Sequence, residues 1–150
     1  MRLYLDTSVL GALTDRGDDR RLMVTRKLLL AVRTGKHEGV ISNVVQEELA
    51  VAPPDVRVAI VQKIRDIEFE VFAEDEESRM LLSEYLTLRV VPIRYRNDLR
   101  HVAAATAARV VALVSWNFRH LVNVRTRRAV HSANLRLGYP LIEIVSPEEV

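Results

Sequence analysis

Short apolar runs alternate with longer amphipathic segments along the whole chain. Five short runs have the length and the β-branched content of strands, at 3–5, 39–42, 69–73, 110–115 and 141–145. Apolar residues at helical spacing predict helices over 19–33, 43–52, 55–67, 74–88, 97–109 and 126–137. A short helix or turn is predicted at 7–13, and a short helix at 117–121. Strands that alternate with helices favour a parallel sheet covered on both faces.

Length and composition point to one globular domain. A chain of 150 residues has the size of an ordinary domain, and 49% hydrophobic with 28% charged residues is typical of a folded protein. No apolar run approaches the roughly 18 residues of a membrane span, and Asp6 interrupts the first apolar stretch too early for a signal peptide. The absence of cysteine excludes disulfides, thiolate metal sites and a cysteine nucleophile. We therefore expect a cytoplasmic protein without a membrane segment.

Charge is unevenly distributed, although the net charge is only +2. Seven of the twelve residues from 66 to 77 are acidic, whereas 89–139 holds ten arginines and a single acidic residue, Asp98. Clustered arginines indicate a surface for nucleic acid, because they neutralise phosphate groups. The other interpretation is that both runs are solvated helix faces.

Polar side chains recur where the predicted strands end. Asp6 follows the first strand, Ser42 ends the second with Glu48 further on, and 115–117 follow the fourth, while Asp98 stands at the start of a predicted helix. Parallel strands bring such positions to one edge of the sheet, which is where open α/β sheets bind ligands. Mg²⁺ and Mn²⁺ prefer oxygen ligands and retain several waters. The pattern therefore predicts a divalent metal site, suited to activating a water for phosphodiester hydrolysis.

Each candidate also has a purely structural interpretation. Asp6 and Asp98 are well placed to cap the helices that follow them. Glu47 and Glu48 point about 100° apart on a helix, so at most one of them faces inward, and both could be solvated. His101 is three residues beyond Asp98 on the same helix face, where packing or hydrogen bonding is the commoner role.

Four segments resemble, in order, the motifs of PIN-domain ribonucleases. They are 3–10 (LYLDTSVL), Ile41-Ser42 with Glu48-Leu49, 98–105 (DLRHVAAA) and 115–121 (SWNFRHL). Single motifs of this kind are unspecific, but all four occur in sequence across nearly the whole chain. The resemblance implies that 1–150 is a single PIN domain, a doubly wound three-layer α/β/α sandwich around a parallel sheet of about five strands. It also implies an endoribonuclease that depends on Mg²⁺ or Mn²⁺.

The resemblance assigns roles to individual residues. Asp6, Glu48 and Asp98 match the acidic metal ligands of the family, and Ser8 matches the hydroxyl near the first ligand. Asn117 stands where many members have a fourth aspartate, so the chain departs from the fullest acidic set. Three carboxylates still suffice to hold one Mg²⁺ with waters.

The substitution at Asn117 leaves an alternative open. In that alternative the chain is a catalytically weakened PIN domain, which binds RNA or a partner protein without cleaving it. Two rival enzyme classes are excluded by their own motifs. A phosphatase of the haloacid-dehalogenase type requires a second aspartate at position 8, which is Ser8. A response-regulator receiver requires an acidic pair near the end of the first strand and a lysine after the last strand, and this chain has neither at those places.

Short single PIN domains are similar to the VapC-like toxins of type II toxin–antitoxin pairs. Those toxins are small, dimeric and inhibited by a partner peptide in the active-site groove. The expected partners are therefore an RNA substrate, a cognate antitoxin and a second copy of the chain. The arginines suited to RNA phosphates, or to an acidic antitoxin segment, are Arg94, Arg96, Arg100, Arg119, Arg125, Arg127 and Arg128.

Overall fold

A single parallel sheet forms the centre of the molecule in the computed structural model, which describes residues 1–150. Its strands are β1 (Arg2–Leu5), β2 (Glu38–Ser42), β3 (Phe69–Phe72), β4 (Ala112–Val114) and β5 (Glu143–Val145). They lie in the order β3-β2-β1-β4-β5, and Leu3 of β1 pairs with Gly39 on one side and Ala112 on the other. The strand order changes direction beside β1. Open α/β sheets bind their ligands at such a point, outside the carboxyl ends of the strands.

Seven helices cover the two faces of the sheet. They are α1 (Thr7–Gly11), α2 (Asp19–Arg33), α3 (Asn43–Val51), α4 (Pro54–Ile64), α5 (Glu76–Thr87), α6 (Arg96–Ala107) and α7 (Val124–Leu137), with 3₁₀ turns at Ala12–Thr14 and Ile93–Tyr95. A membrane-spanning helix would need a longer and more apolar segment than any of these provides.

Alternation along β1 divides the hydrophobic core into two parts. Leu3 and Leu5 pack with residues of α1, α2 and α4 on one face, whereas Tyr4 packs with α5, α6 and α7 on the other. Successive side chains of a strand point to opposite faces, so each face must be apolar when both are covered. The predicted doubly wound three-layer α/β/α sandwich is therefore confirmed.

The boundaries of several elements differ from the predicted ones. The helix predicted over 55–67 ends at Ile64, and the helix predicted from residue 74 begins at Glu76, because Asp75 forms a capping box with Ser78. The apolar run 110–115 contributes only three residues, Ala112–Val114, to β4, and Val111 before it is half exposed.

The short helix predicted at 117–121 is wrong. The segment is a chain of turns, in which the N–H groups of Leu121 and Val122 both donate to the carbonyl of Asn117. Asn123 then caps α7 by accepting a hydrogen bond from the N–H of Thr126. Asn117 and Asn123 each accept a hydrogen bond from the backbone N–H three residues later. Only Asn123 is followed by a helix, α7, which packs on the core.

Gly39 of β2 lies in close contact with α2 and β3. A Cβ atom at this position would lie 2.8 Å from Cγ1 of Val32 and 2.9 Å from Cδ1 of Phe69. Gly11, in α1, has no such neighbour within 4 Å. A side chain at position 39 would therefore collide with its neighbours, whereas a side chain at position 11 would not.

Replacing Gly39 by alanine should destabilise the protein by about 1–3 kcal/mol, because an added methyl group would overpack the contact between α2 and β2. Gly11→Ala is the matched control and should be neutral or stabilising, since alanine is the better helix former. Urea unfolding of both variants provides the measurement. Equal unfolding midpoints for wild type and Gly39→Ala would contradict the packing argument.

Candidate active site

Asp6 lies at the carboxyl end of the central strand and caps α1. Its Oδ1 accepts hydrogen bonds from the N–H of Ser8 (3.0 Å), the N–H of Val9 (3.3 Å) and Oγ of Ser8 (2.6 Å). Its Oδ2 accepts from Oγ of Ser115 at 2.5 Å. Burial raises the pKa of this carboxyl above its ordinary value, although the surrounding donors act in the opposite direction. The capping role is therefore observed, and the role as a metal ligand remains a prediction.

Two serines tie the loop after β4 to Asp6. Besides its bond to the carboxylate, Oγ of Ser8 accepts from the N–H of Trp116 at 2.8 Å, and Oγ of Ser115 accepts from the N–H of Asn117 at 2.9 Å. The N–H of Asp6 also donates to the carbonyl of Val114. The segments that follow β1 and β4 therefore meet at the same edge of the sheet, as predicted.

Glu48 faces the interior side of α3, and Glu47 faces solvent. Ser42 caps α3, and Oε1 of Glu48 lies 3.0 Å from Nε2 of His101. Glu47 instead pairs with Arg100, whose Nη1 lies 2.8 Å from its Oε2. Burial raises the pKa of Glu48, but the hydrogen bond from His101, together with the effects of Thr7 and Arg100, outweighs burial, so the net shift is downward. Helix geometry thus separates the two glutamates as expected.

Asp98 lies in the first turn of α6 and does not cap it. The helix begins after Tyr95, which makes no side-chain cap, and Oδ2 of Asp98 lies 2.7 Å from Nδ1 of His120. The His120 ring packs against Tyr95 with 4.4 Å between the ring centroids. Oδ1 of Asn117 accepts a hydrogen bond from the N–H of His120 at 3.0 Å, so Asn117 shapes the turn that carries this histidine. Burial raises the pKa of Asp98, against the effect of His120.

The three carboxylates lie at one edge of the sheet without forming a coordination shell. Glu48 and Asp98 line one open depression of about 530 Å³, and Asp6 is buried nearby beneath Ser8 and Ser115. No group of three or more Asp, Glu, His or Cys side chains in the structure is placed to hold a metal ion. Each of the three carboxylates instead has a donor from within the protein.

The donor set nevertheless suits a hydrated hard cation. The second oxygens of Glu48 and Asp98 accept no hydrogen bond from the protein. Oγ1 of Thr7 also lies close to Glu48 and lowers the pKa of its carboxyl. Carboxylates with room for water are what Mg²⁺ requires.

The predicted RNA-contacting arginines are not equally available. Arg100 is held by Glu47 and Glu74, which raise its pKa, and Arg127 pairs with Glu149 at 3.2 Å. Arg125 donates to the carbonyl of Arg89 at 3.2 Å. The remaining four make no ion pair and are exposed: Arg94, Arg96, Arg119 and Arg128.

These four arginines differ in how close they lie to the carboxylates. Arg94 and Arg96 line the same depression as Glu48 and Asp98, with the Arg94 guanidinium 4.9 Å from the centre of the Tyr95 ring. They are therefore the cations best placed to meet a phosphate near the carboxylates. All seven arginines remain predicted contacts, but Arg100 would have to leave two glutamates to make one.

Much of the acidic run is explained by pairing within the protein. Glu70 pairs with Arg2, and Glu74 pairs with Arg100. Glu77 pairs with Arg109 at 2.8 Å. The separation of charge along the sequence is therefore partly cancelled in three dimensions.

Tyr4 is a site residue that the sequence pattern does not reveal. In the sequence it is one apolar position of a short strand, but its hydroxyl oxygen lies 2.6 Å from Oγ of Ser42 and 2.8 Å from Nδ1 of His101. The available signal is that tyrosine, unlike leucine or valine, needs a partner for its hydroxyl when it is buried.

Comparison with known proteins supports the fold and carries no information on the function. No protein-family profile matches the chain, and no curated protein sequence matches it. Among solved structures, it matches a chain in the crystal structure of VapBC2 from Rickettsia felis bound to a DNA fragment from their promoter. The TM-score is 0.60 at 15% identity, and the match covers 97% of this chain and 98% of that chain. The sandwich is therefore PIN-like.

The raised pKa of Asp6 predicts a pH dependence of stability in the metal-free protein. Because the folded state binds this proton more tightly than the unfolded state, the stability contributed by Asp6 is greatest at low pH. It is lost as the pH rises above the ordinary aspartate pKa of about 4. Asp6→Asn keeps an acceptor for the α1 cap without the charge, so its stability relative to wild type should increase between pH 5 and pH 8.

Urea unfolding with chelator present at both pH values measures this effect. Asp75→Asn is the matched control, because Asp75 is also a helix cap but its pKa is lowered by the N–H of Ser78. The stability difference between Asp75→Asn and wild type should be the same at both pH values. An equally constant difference for Asp6→Asn would contradict the argument.

Proposed function

We propose that the protein is an endoribonuclease that uses Mg²⁺ or Mn²⁺ to hydrolyse RNA phosphodiester bonds, and that it is the toxin of a type II toxin–antitoxin pair. The observation that carries the proposal is the arrangement of Asp6, Glu48 and Asp98 at the carboxyl edge of a PIN-like sheet. Each of them meets a donor that is distant from it in the sequence: Ser115, His101 and His120 respectively. Partly buried carboxylates that border one depression are typical of a functional site.

In this proposal Asp6, Glu48 and Asp98 would hold the metal ion, and an ion bound there would supply Lewis-acid chemistry for the phosphate and a water. Ser8 and Ser115 orient Asp6, and His120 orients Asp98. Asn117 contributes an amide in place of a fourth carboxylate, so it shapes the site without adding negative charge. Water is the nucleophile, and no covalent intermediate with the protein is required.

RNA is recognised mainly through its backbone in this proposal. Arg94 and Arg96 lie beside the carboxylates and supply positive charge for phosphates on either side of the cleaved bond. The chain has only eight aromatic residues, three Phe, four Tyr and one Trp, so few of them are available to stack unpaired bases.

The antitoxin is proposed to enter the depression that Glu48 and Asp98 line, where Arg94 and Arg96 are exposed and make no ion pair. An acidic segment of the partner would match these two cations. The homodimer implied by the resemblance stays a prediction.

Cleavage tests the catalytic part of the proposal. The purified protein should cleave RNA with Mg²⁺ or Mn²⁺ and stop when a chelator is added. Asp98→Asn and Glu48→Gln should each reduce cleavage by about 100-fold or more, the scale of losing a group that stabilises transition-state charge. Glu47→Gln is the matched control, because this neighbouring glutamate faces solvent, and it should retain activity.

Circular dichroism of each variant shows whether the fold is intact. Undiminished cleavage in Asp98→Asn and Glu48→Gln, or cleavage that survives the chelator, would contradict the assignment. RNA binding without any cleavage by the wild type would favour the alternative, a binding module. That alternative is supported by Asn117 and by the absence of a three-carboxylate cluster in the structure.

Expression in a bacterial host tests the toxin role. Growth should stop when the wild-type chain is expressed and continue when Asp98→Asn is expressed at the same level. Co-expression of the product of a small neighbouring gene that carries a DNA-binding motif should restore growth. Normal growth in the presence of an active nuclease would count against this role.

A further inference from the structure

A buried chain of hydrogen bonds leads from the sheet to Glu48. The N–H of Val44 donates to Oγ of Ser42 at 3.2 Å, and this oxygen lies 2.6 Å from Oη of Tyr4. Oη of Tyr4 lies 2.8 Å from Nδ1 of His101, whose Nε2 lies 3.0 Å from Oε1 of Glu48. The chain connects β1, β2 and α6 to α3. Tyr4 and Ser42 are completely buried, and His101 is nearly so.

Only one direction of donation satisfies every member of this chain. Oγ of Ser42 accepts a hydrogen bond from the N–H of Val44, which cannot take its proton. Its only other partner is Oη of Tyr4, which therefore accepts the Ser42 proton. Tyr4 then donates to Nδ1 of His101. This nitrogen therefore carries no proton, and Nε2–H faces the Glu48 carboxylate.

The reverse direction would leave a buried proton without an acceptor. If Tyr4 donated to Ser42, the Ser42 hydroxyl would have no other acceptor, since the structure gives it no further partner. An unsatisfied polar group of this kind is costly when it is buried. Burial also raises the pKa of Tyr4 far above its ordinary value, so its hydroxyl keeps the proton that it donates.

We propose that His101 is a positioning residue, which Tyr4 holds with its proton on Nε2 so that it orients Glu48. The proposal rests on the proposed function, because Glu48 is one of the three metal-holding carboxylates there. One oxygen of Glu48 receives the bond from His101, and the other remains for the cation. A free glutamate side chain has several rotamers, and ordering it before the metal arrives increases affinity.

Two variants distinguish a role in orienting Glu48 from a role limited to the buried hydrogen bond with Tyr4. His101→Gln places an amide nitrogen near the position of Nε2 and so retains a donor for Glu48. His101→Asn is shorter and places its amide near Nδ1, so it retains a partner for Tyr4 but none for Glu48. A role limited to the buried network would favour asparagine, whereas a role in positioning Glu48 favours glutamine.

Titration with Mn²⁺, followed by electron paramagnetic resonance of the free ion, gives the comparison. His101→Gln should bind Mn²⁺ nearly as the wild type does, and His101→Asn should bind about 10–100-fold more weakly, the range for losing an outer-shell partner. Urea unfolding of both variants shows that they are folded. Equal affinities of the two variants, or tighter binding by His101→Asn, would overturn the proposal.

Nuclear magnetic resonance of the metal-free protein tests the proton position independently. Nitrogen-15 shifts of His101, recorded at a pH where the ring carries a single proton, should show that proton on Nε2, and Tyr4→Phe should remove this preference. A wild-type ring with its single proton on Nδ1 would overturn the proposal. If the wild type binds no Mn²⁺ and cleaves no RNA, the proposed function fails as well, and the nitrogen shifts show whether the hydrogen-bond chain exists without it.

Discussion

The buried carboxylate of Asp6, at the end of the central strand, constrains the start of α1 and the loop after β4. A charge removed from water is tolerated only when donors replace the lost solvent. Those donors come from two places in the sequence, the first turn of α1 and the serine that follows β4. The hydrogen bonds to the Asp6 carboxylate therefore determine the direction of α1 after β1. They also determine where the loop after β4 lies over this carboxylate.

The other two carboxylates are held by histidines rather than by serines and backbone N–H groups. Glu48 and Asp98 are less deeply buried than Asp6, and each keeps one oxygen without a protein donor. The site therefore combines one carboxylate anchored in the sheet with two that border an open depression. Such a combination suits an ion that keeps part of its water shell and meets a substrate from the solvent side.

Ion pairing determines which part of the basic sequence remains a positive surface. Arg100, Arg109 and Arg127 are occupied by glutamates, two of which belong to the acidic run between residues 66 and 77. Arg94 and Arg96 remain exposed at the depression, and Arg119 and Arg128 remain exposed elsewhere. The charge pattern of a sequence thus overstates the surface charge wherever opposite charges meet in the fold.

Local patterns in the sequence determined the alternation of strands and helices, the positions of Asp6, Ser42 and Ser115 at strand ends, and that at most one of Glu47 and Glu48 faces inward. These follow from periodicity and capping, which act within a few residues. Only the tertiary structure decided that 117–121 forms turns, that Glu48 meets His101 across 53 residues, and that Asp98 meets His120 across 22. It also decided that Asp98 does not cap α6 and that Arg100 is occupied. The reason is that such contacts depend on how distant segments pack on the sheet, which no local spacing encodes.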